Sequence, residues 1–144
     1  MLALTGSAAD RAAADEVRRA LPAGAAVADT VGGAPLLVLA AVLSRLSLFV
    51  TPDTGPMHLA AAVGTPLVAL FGPSSPERWG PLARDARVVR VDLPCSPCNR
   101  IRNPPVRCQG RTPDCMDGIV VRRVIEAAAE VLPAAPREER GDAR

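Results

Sequence analysis

The chain has 144 residues, 49% hydrophobic and 22% charged, with a formal net charge of +2, the profile of a globular domain long enough to bury a core. So small a net charge requires no nucleic-acid partner, and with Phe49, Phe71 and Trp79 as the whole aromatic set, stacking-based recognition of RNA or single strands is disfavoured. No segment nears the ~20 apolar residues of a membrane span, and Met1–Leu4 lacks the basic start of a signal peptide, so the expected location is cytoplasmic or peripheral at the inner membrane.

Leu2–Leu4 reads as a core strand and runs into the turn Thr5-Gly6-Ser7. A domain that opens on such a strand leads to the expectation that an upstream part is missing. Residues 8–21 read as a helix with Ala9, Ala12, Ala13, Val17, Ala20 and Leu21 on its apolar face, ended by Pro22-Ala23-Gly24. Val27-Ala28 is a short strand candidate, and Gly32-Gly33-Ala34-Pro35 a loop. Residues 36–45 are so apolar that a helix wedged between other elements is expected. A strand over 46–50 then feeds Asp53-Thr54-Gly55-Pro56-Met57-His58, and an Ala-rich helix follows, closed by Gly64. Thr65-Pro66 opens a strand over 67–71, Gly72–Pro76 forms a sharp loop, and 88–91 form another strand. A Cys-, Pro- and Arg-rich loop fills 94–117, an amphipathic helix 119–132, and the charged stretch 133–144 reads as a disordered tail. One domain over 1–132 is expected.

Short strands alternating with helices imply an α/β fold, a Rossmann-like and mostly parallel sheet with helices on both faces. Ligands bind such sheets outside the carboxyl ends of the strands. The turns at Gly6, Asp53–Gly55 and Gly72 all follow strands, which predicts one binding rim. The central turn carries most of the chemistry. A strand, a glycine turn and a helix start present free N–H groups and the positive dipole end to an anion. Pro56 suits the first helical position, and Asp53 and Thr54 are both good N-cap residues.

The ordered set Leu4-Thr5-Gly6-Ser7, Asp53–Ala62, Gly64-Thr65-Pro66, Phe71-Gly72-Pro73, Cys95-Ser96-Pro97-Cys98 and Cys115-Met116 resembles glycosyltransferase family 9, which contains the ADP-heptose:lipopolysaccharide heptosyltransferases. The resemblance implies the carboxyl-terminal, donor-binding half of a GT-B fold. It implies an inverting transfer of a sugar, heptose by expectation, from a nucleotide-sugar to a lipopolysaccharide-type or other glycan acceptor. Thr5, Gly6, Asp53, Thr54, Gly55, Met57 and His58 would then bind the donor phosphates and sugar, the N–H groups of Thr54, Gly55 and Met57 holding the diphosphate. Asp10 would bind the ribose hydroxyls, and Gly33 and Ala34 would lie against the base. No catalytic residue is assigned, His58 being at most an assisting group. The family's phosphate-binding lysine and its base would lie outside this chain, whose seventeen basic residues are all arginine. The chain alone is therefore expected to bind donor without turnover.

Other readings stay open from the residues alone. Asp-Thr-Gly is also the triplet of aspartic proteases, but those are all-β and this triplet opens an Ala-rich helix. No Gly-x-Gly-x-x-Gly or Gly-Lys-Ser/Thr motif supports a dinucleotide enzyme or an ATPase. A non-catalytic nucleotide-binding module and a Cys-cluster interaction protein are the alternatives. Cys95, Cys98, Cys108 and Cys115 are compatible with a structural zinc held by four thiolates, although the second pair is spaced widely; free or redox-sensitive thiols are the other reading. No cofactor is expected for catalysis. Arg78, near the Gly72 loop, is the arginine expected to reach a donor.

Overall fold

The computed structural model describes residues 1–132; the expected tail at 133–144 lies outside the described residues. The chain divides into two compact units, Met1–Ala41 and the remainder from Val42.

In the first unit, the small apolar runs Leu2–Leu4 (β1) and Val27–Asp29 (β2) pair in parallel, Leu2 opposite Val27 and Leu4 opposite Asp29. Thr30 extends this pairing, its N–H and its hydroxyl both donating to the Leu4 carbonyl at 2.9 and 3.1 Å. The connection is helical, a 3₁₀ turn over Ala8–Asp10 leading into α1 (Arg11–Ala20). Only Ala14 of α1 is buried; Ala9, Ala12, Ala13, Val17 and Ala20 are exposed. The buried position is thus one residue beyond the expected apolar face at Ala13.

Helix α2 (Leu36–Leu43) begins in the first unit and ends in the second. It is helical as its composition suggests, yet it is not wedged between elements: Leu36, Leu37 and Val38 are exposed and Leu43 alone is buried. Uniform apolarity marks a helix for burial without indicating which face is covered.

The second unit is built on a three-stranded parallel sheet in the order β3 (Phe49–Pro52), β4 (Leu67–Phe71), β5 (Ala86–Arg90). The central strand reads Leu-Val-Ala-Leu-Phe without a polar residue, as a strand covered on both faces must. Val68 and Leu70 share one face with Val89 of β5, and α6 (Val121–Val131) closes over them with Ala127, Val131, Val124 and Ala128. Each fully buried valine stabilises this face by about 1.5–3 kcal/mol relative to exposure. α6 starts two residues later than expected, and Val121 and Ile125 face solvent.

β3 lies three residues downstream of its predicted place, since Leu46 belongs to a turn bonded to Leu43. It is an edge strand burying Phe49 and Thr51 and exposing Val50 and Pro52, a position where Pro removes no ladder bond. α3 (Gly55–Ala62) follows it and buries Met57 and Ala60 completely. Gly64 ends that helix at φ +78°, a conformation that disfavours any side chain. Two further short helices are α4 (Pro76–Trp79) and α5 (Asp114–Asp117), the second inside the expected loop over 94–117; each is a single turn opened by proline at or beside its first residue.

Candidate functional site

In the second unit the parallel strands β3 and β4 end side by side, so the turns at Asp53–Gly55 and Gly72 emerge at one edge of the sheet. The Asp53 N–H still belongs to the ladder, donating to the Leu70 carbonyl at 3.2 Å. Thr54 is the N-cap of α3 in extended backbone, but its hydroxyl does not cap the helix. It turns back toward the Pro52 carbonyl and the Thr51 hydroxyl, 3.3 Å from each. The Thr54 and Gly55 N–H groups therefore carry no hydrogen bond among the described residues, and Pro56 has none to offer. The Met57 N–H differs from expectation: it donates to the Thr54 carbonyl at 3.0 Å while its side chain fills the core. Met57 supports the turn from beneath and its amide is not a free donor. Pro56 occupies the second helical position, Gly55 the first.

A cavity of about 710 Å³ opens over this turn. Asp53, Thr54, Gly55 and His58 line it together with Arg78, Trp79 and the segment Asn99–Asn103. A Cβ placed on Gly55 would meet no protein atom within 4 Å, so the absence of a side chain there serves the cavity and not internal packing. His58 is exposed and also lines an adjoining cavity of about 340 Å³ with Pro76–Arg78, Pro81 and Leu82. Arg78 lies over the Trp79 ring, 5.6 Å from its centroid. Beside them, the Ser75 hydroxyl donates to Glu77 at 2.5 Å and lowers that carboxyl below its ordinary value.

The segment Asn99–Asn103 owes its place to bonds from its upstream end. The Asn99 N–H donates to the Pro73 carbonyl at 2.7 Å, and its side-chain oxygen accepts the Ser75 N–H at 3.2 Å. The Ser96 hydroxyl donates to the Gly72 carbonyl at 2.6 Å, and Arg90 donates to the Ser96 carbonyl at 3.0 Å. These bonds fasten the start of the Cys-rich loop to the end of β4. Trp79, Asn99, Arg100, Ile101, Arg102 and Asn103 had no mark in the sequence beyond lying near glycine and cysteine loops.

All four cysteines line a second cavity of about 210 Å³, with Arg100, Ile101 and Arg107 among its other walls. They are free thiols, Cys95 exposed and Cys115 buried. Burial raises the Cys115 thiol above its ordinary value, and the neighbouring Cys98, Cys95 and Cys108 push it in the same direction. Among the described residues no group of three or more His, Cys, Asp or Glu side chains is arranged to hold a metal ion. The loop thus gathers the four cysteines around one cavity.

The remaining sequence-predicted residues, Thr5, Gly6, Asp10, Gly33 and Ala34, belong to the first unit. The Gly32 N–H donates to the Gly6 carbonyl at 2.9 Å, which joins the Gly6 turn to the Gly33-Ala34 loop at the ends of β1 and β2. Asp10 has a local role: its Oδ2 accepts the Ser7 N–H and the Ser7 hydroxyl, both at 2.7 Å, and these bonds lower its pKa. Asp29, passed over in the sequence, is the charged hub of this unit. It accepts Arg11 at 2.7 and 3.1 Å, the Val31 N–H at 3.0 Å and Arg18 at 2.9 Å. Those bonds, Arg11 foremost, hold its carboxyl well below the usual carboxylate range.

The sequence profile of glycosyltransferase family 9 (heptosyltransferase) matches residues 1–106. Lipooligosaccharide heptosyltransferase 2 of Haemophilus influenzae is 38% identical over 92 residues, covering 62% of this chain and 27% of that protein. Lipopolysaccharide heptosyltransferase 2 of Salmonella typhimurium is 41% identical over 90 residues, covering 61% and 26%. Among solved structures, the Escherichia coli ADP-heptose lps heptosyltransferase II superposes with a TM-score of 0.73 at 32% identity, covering 90% of this chain and 35% of that one. A family 9 glycosyltransferase from Veillonella parvula gives the same TM-score at 28% identity. The chain spans about a quarter of the length of the curated relatives it matches.

Proposed function

The chain belongs to glycosyltransferase family 9, and on that premise we propose that it supplies the donor-binding part of a glycosyl transfer, taking a nucleotide-sugar of the ADP-heptose class for delivery to a lipopolysaccharide-type acceptor. One observation carries this reading: the cavity of about 710 Å³ stands where the parallel strands end, against the free N–H groups of Thr54 and Gly55 and the start of α3. A diphosphate placed there meets unpaired amide donors and the positive end of the helix. In the transfer, an acceptor hydroxyl oxygen bonds to the anomeric carbon and loses its proton to a base. The bond from that carbon to the diphosphate breaks, and its electron pair leaves on the phosphate oxygen. The Thr54 and Gly55 amides act on the leaving side, where negative charge grows and where fixed donors stabilise it.

Asp53, half-buried at the mouth of the turn, and the exposed His58 are the side chains set to meet the sugar or the phosphates. By the family resemblance the Thr5–Gly6 turn is assigned to the donor phosphates and sugar, and Asp10 with the Gly33-Ala34 loop to the ribose and base. Calorimetry on the 144-residue chain with ADP, ADP-heptose and a GDP-sugar tests the reading. Saturable binding of the adenosine ligands that weakens about tenfold or more in Asp53→Ala and His58→Ala, with circular dichroism unchanged, is the expected result. Wild-type affinity in both folded variants would remove these residues from the site.

A further inference from the structure

Six arginines of the described chain are tied to carboxylates: Arg11, Arg18, Arg87, Arg90, Arg111 and Arg122. Arg78, Arg100 and Arg102 have no such partner among the described residues, and all three line the cavity over the Asp53–His58 turn. With Asp53 as the single carboxylate there, the lining's three arginines stand against one negative charge, a surplus of two from these groups. Like charges gathered without counter-ions repel one another, and the arrangement is relieved when an anion enters. A sugar diphosphate diester carries about two negative charges, which matches that surplus. The chain holds no lysine to offer instead.

Resting on the donor reading above, we infer that Arg78, Arg100 and Arg102 form a guanidinium clamp that holds the donor diphosphate in the cavity it shares with the Thr54–Gly55 amides. The amides and the guanidiniums have complementary tasks. The amides are fixed by the end of β3 and the start of α3 and set the position of the phosphates. The guanidiniums offer planar paired N–H donors that suit phosphate oxygens and neutralise the charge left on the departing diphosphate. The anchoring of Asn99 to Pro73 and Ser75 holds the root of the clamp in place. Arg100 also borders the cysteine cavity, so the loop that carries the thiols is the loop that presents the clamp.

The test titrates the 144-residue chain with ADP, AMP and inorganic pyrophosphate by calorimetry, alongside Arg100→Ala/Arg102→Ala, Arg100→Lys/Arg102→Lys and the single variant Arg102→Gln. The alanine pair is expected to lose about tenfold or more in affinity for ADP and pyrophosphate, and distinctly less for AMP, with the lysine pair recovering only the part that charge alone supplies. Its binding should also depend less steeply on salt. Should the alanine pair fail to fold, Arg102→Gln gives the same comparison with a smaller loss. Unchanged ADP affinity in the folded variants, or an equal loss for AMP, overturns the clamp and leaves the donor reading standing. A parent chain that binds neither ADP nor pyrophosphate overturns both.

Discussion

Gly72 is the position where a single methyl group should be felt most clearly. It follows β4, is buried, and its carbonyl accepts the Ser96 hydroxyl. A Cβ built there would stand 2.5 Å from Met116 Sδ, 2.8 Å from Met116 Cγ and 3.1 Å from Cys115 Sγ. Comfortable heavy-atom contact needs about 3.5–4.0 Å, so Met116 must retreat by roughly 1 Å. The methionine is flexible and yields part of this by changing rotamer, while Cys115 is held in α5 and yields less. Overpacking of this kind costs about 1–3 kcal/mol, and the stiffer unfolded chain of an alanine variant offsets about 0.4–1 kcal/mol of it. Gly72→Ala should therefore lose about 1–2 kcal/mol in urea unfolding followed by circular dichroism. The decisive measurement is a cycle with Met116→Ala, in which the double variant should be more stable than the sum of the singles by about 1 kcal/mol. A neutral Gly72→Ala, or singles that add to within about 0.3–0.5 kcal/mol, would refute the packing of α5 on the end of β4.

Acid stability tests the Asp29 hub. Its folded pKa is depressed, so its contribution is fully present above the unfolded value, about 3.9, and is lost as pH falls through the lower folded value. Thermal melts from pH 5 to pH 2 should show a shallower loss in Asp29→Asn than in the parent; parallel curves would show that Arg11 and Arg18 add nothing through this carboxylate. Thiol chemistry tests the cysteine cavity. Iodoacetamide at pH 8 should label exposed Cys95 first and buried Cys115 last, with the difference erased in urea, because burial both shields Cys115 and raises its pKa. Labelling of Cys115 as fast as Cys95, or labelling that begins only after a chelator is added, would contradict this picture, the latter by revealing a bound metal.

Much of this protein is legible residue by residue because the signals are local. The apolar run of β4, the proline and glycine that open α3, and Gly64 that closes it act over a few positions and need no partner elsewhere. The same holds for the parallel sheet, which follows from strands and helices alternating along the chain. The strand, turn and helix start around Asp53–Gly55 belong to this class, and so does the order of motifs that gives the family. Tertiary structure decided what the turn can use and what faces it. The Met57 amide is consumed by a bond to Thr54, a choice of turn geometry that composition does not reveal. Arg100 and Arg102 look like any solvated arginines in a loop until Asn99 pins that loop to Pro73 and Ser75 and brings it across from a turn far earlier in the chain. That all four cysteines border one cavity depends likewise on the path of the loop, because spacing limits how far residues can reach and does not gather them. Local sequence determined where the strand turns into the helix, and long-range contacts decided which charged side chains line the cavity over that turn.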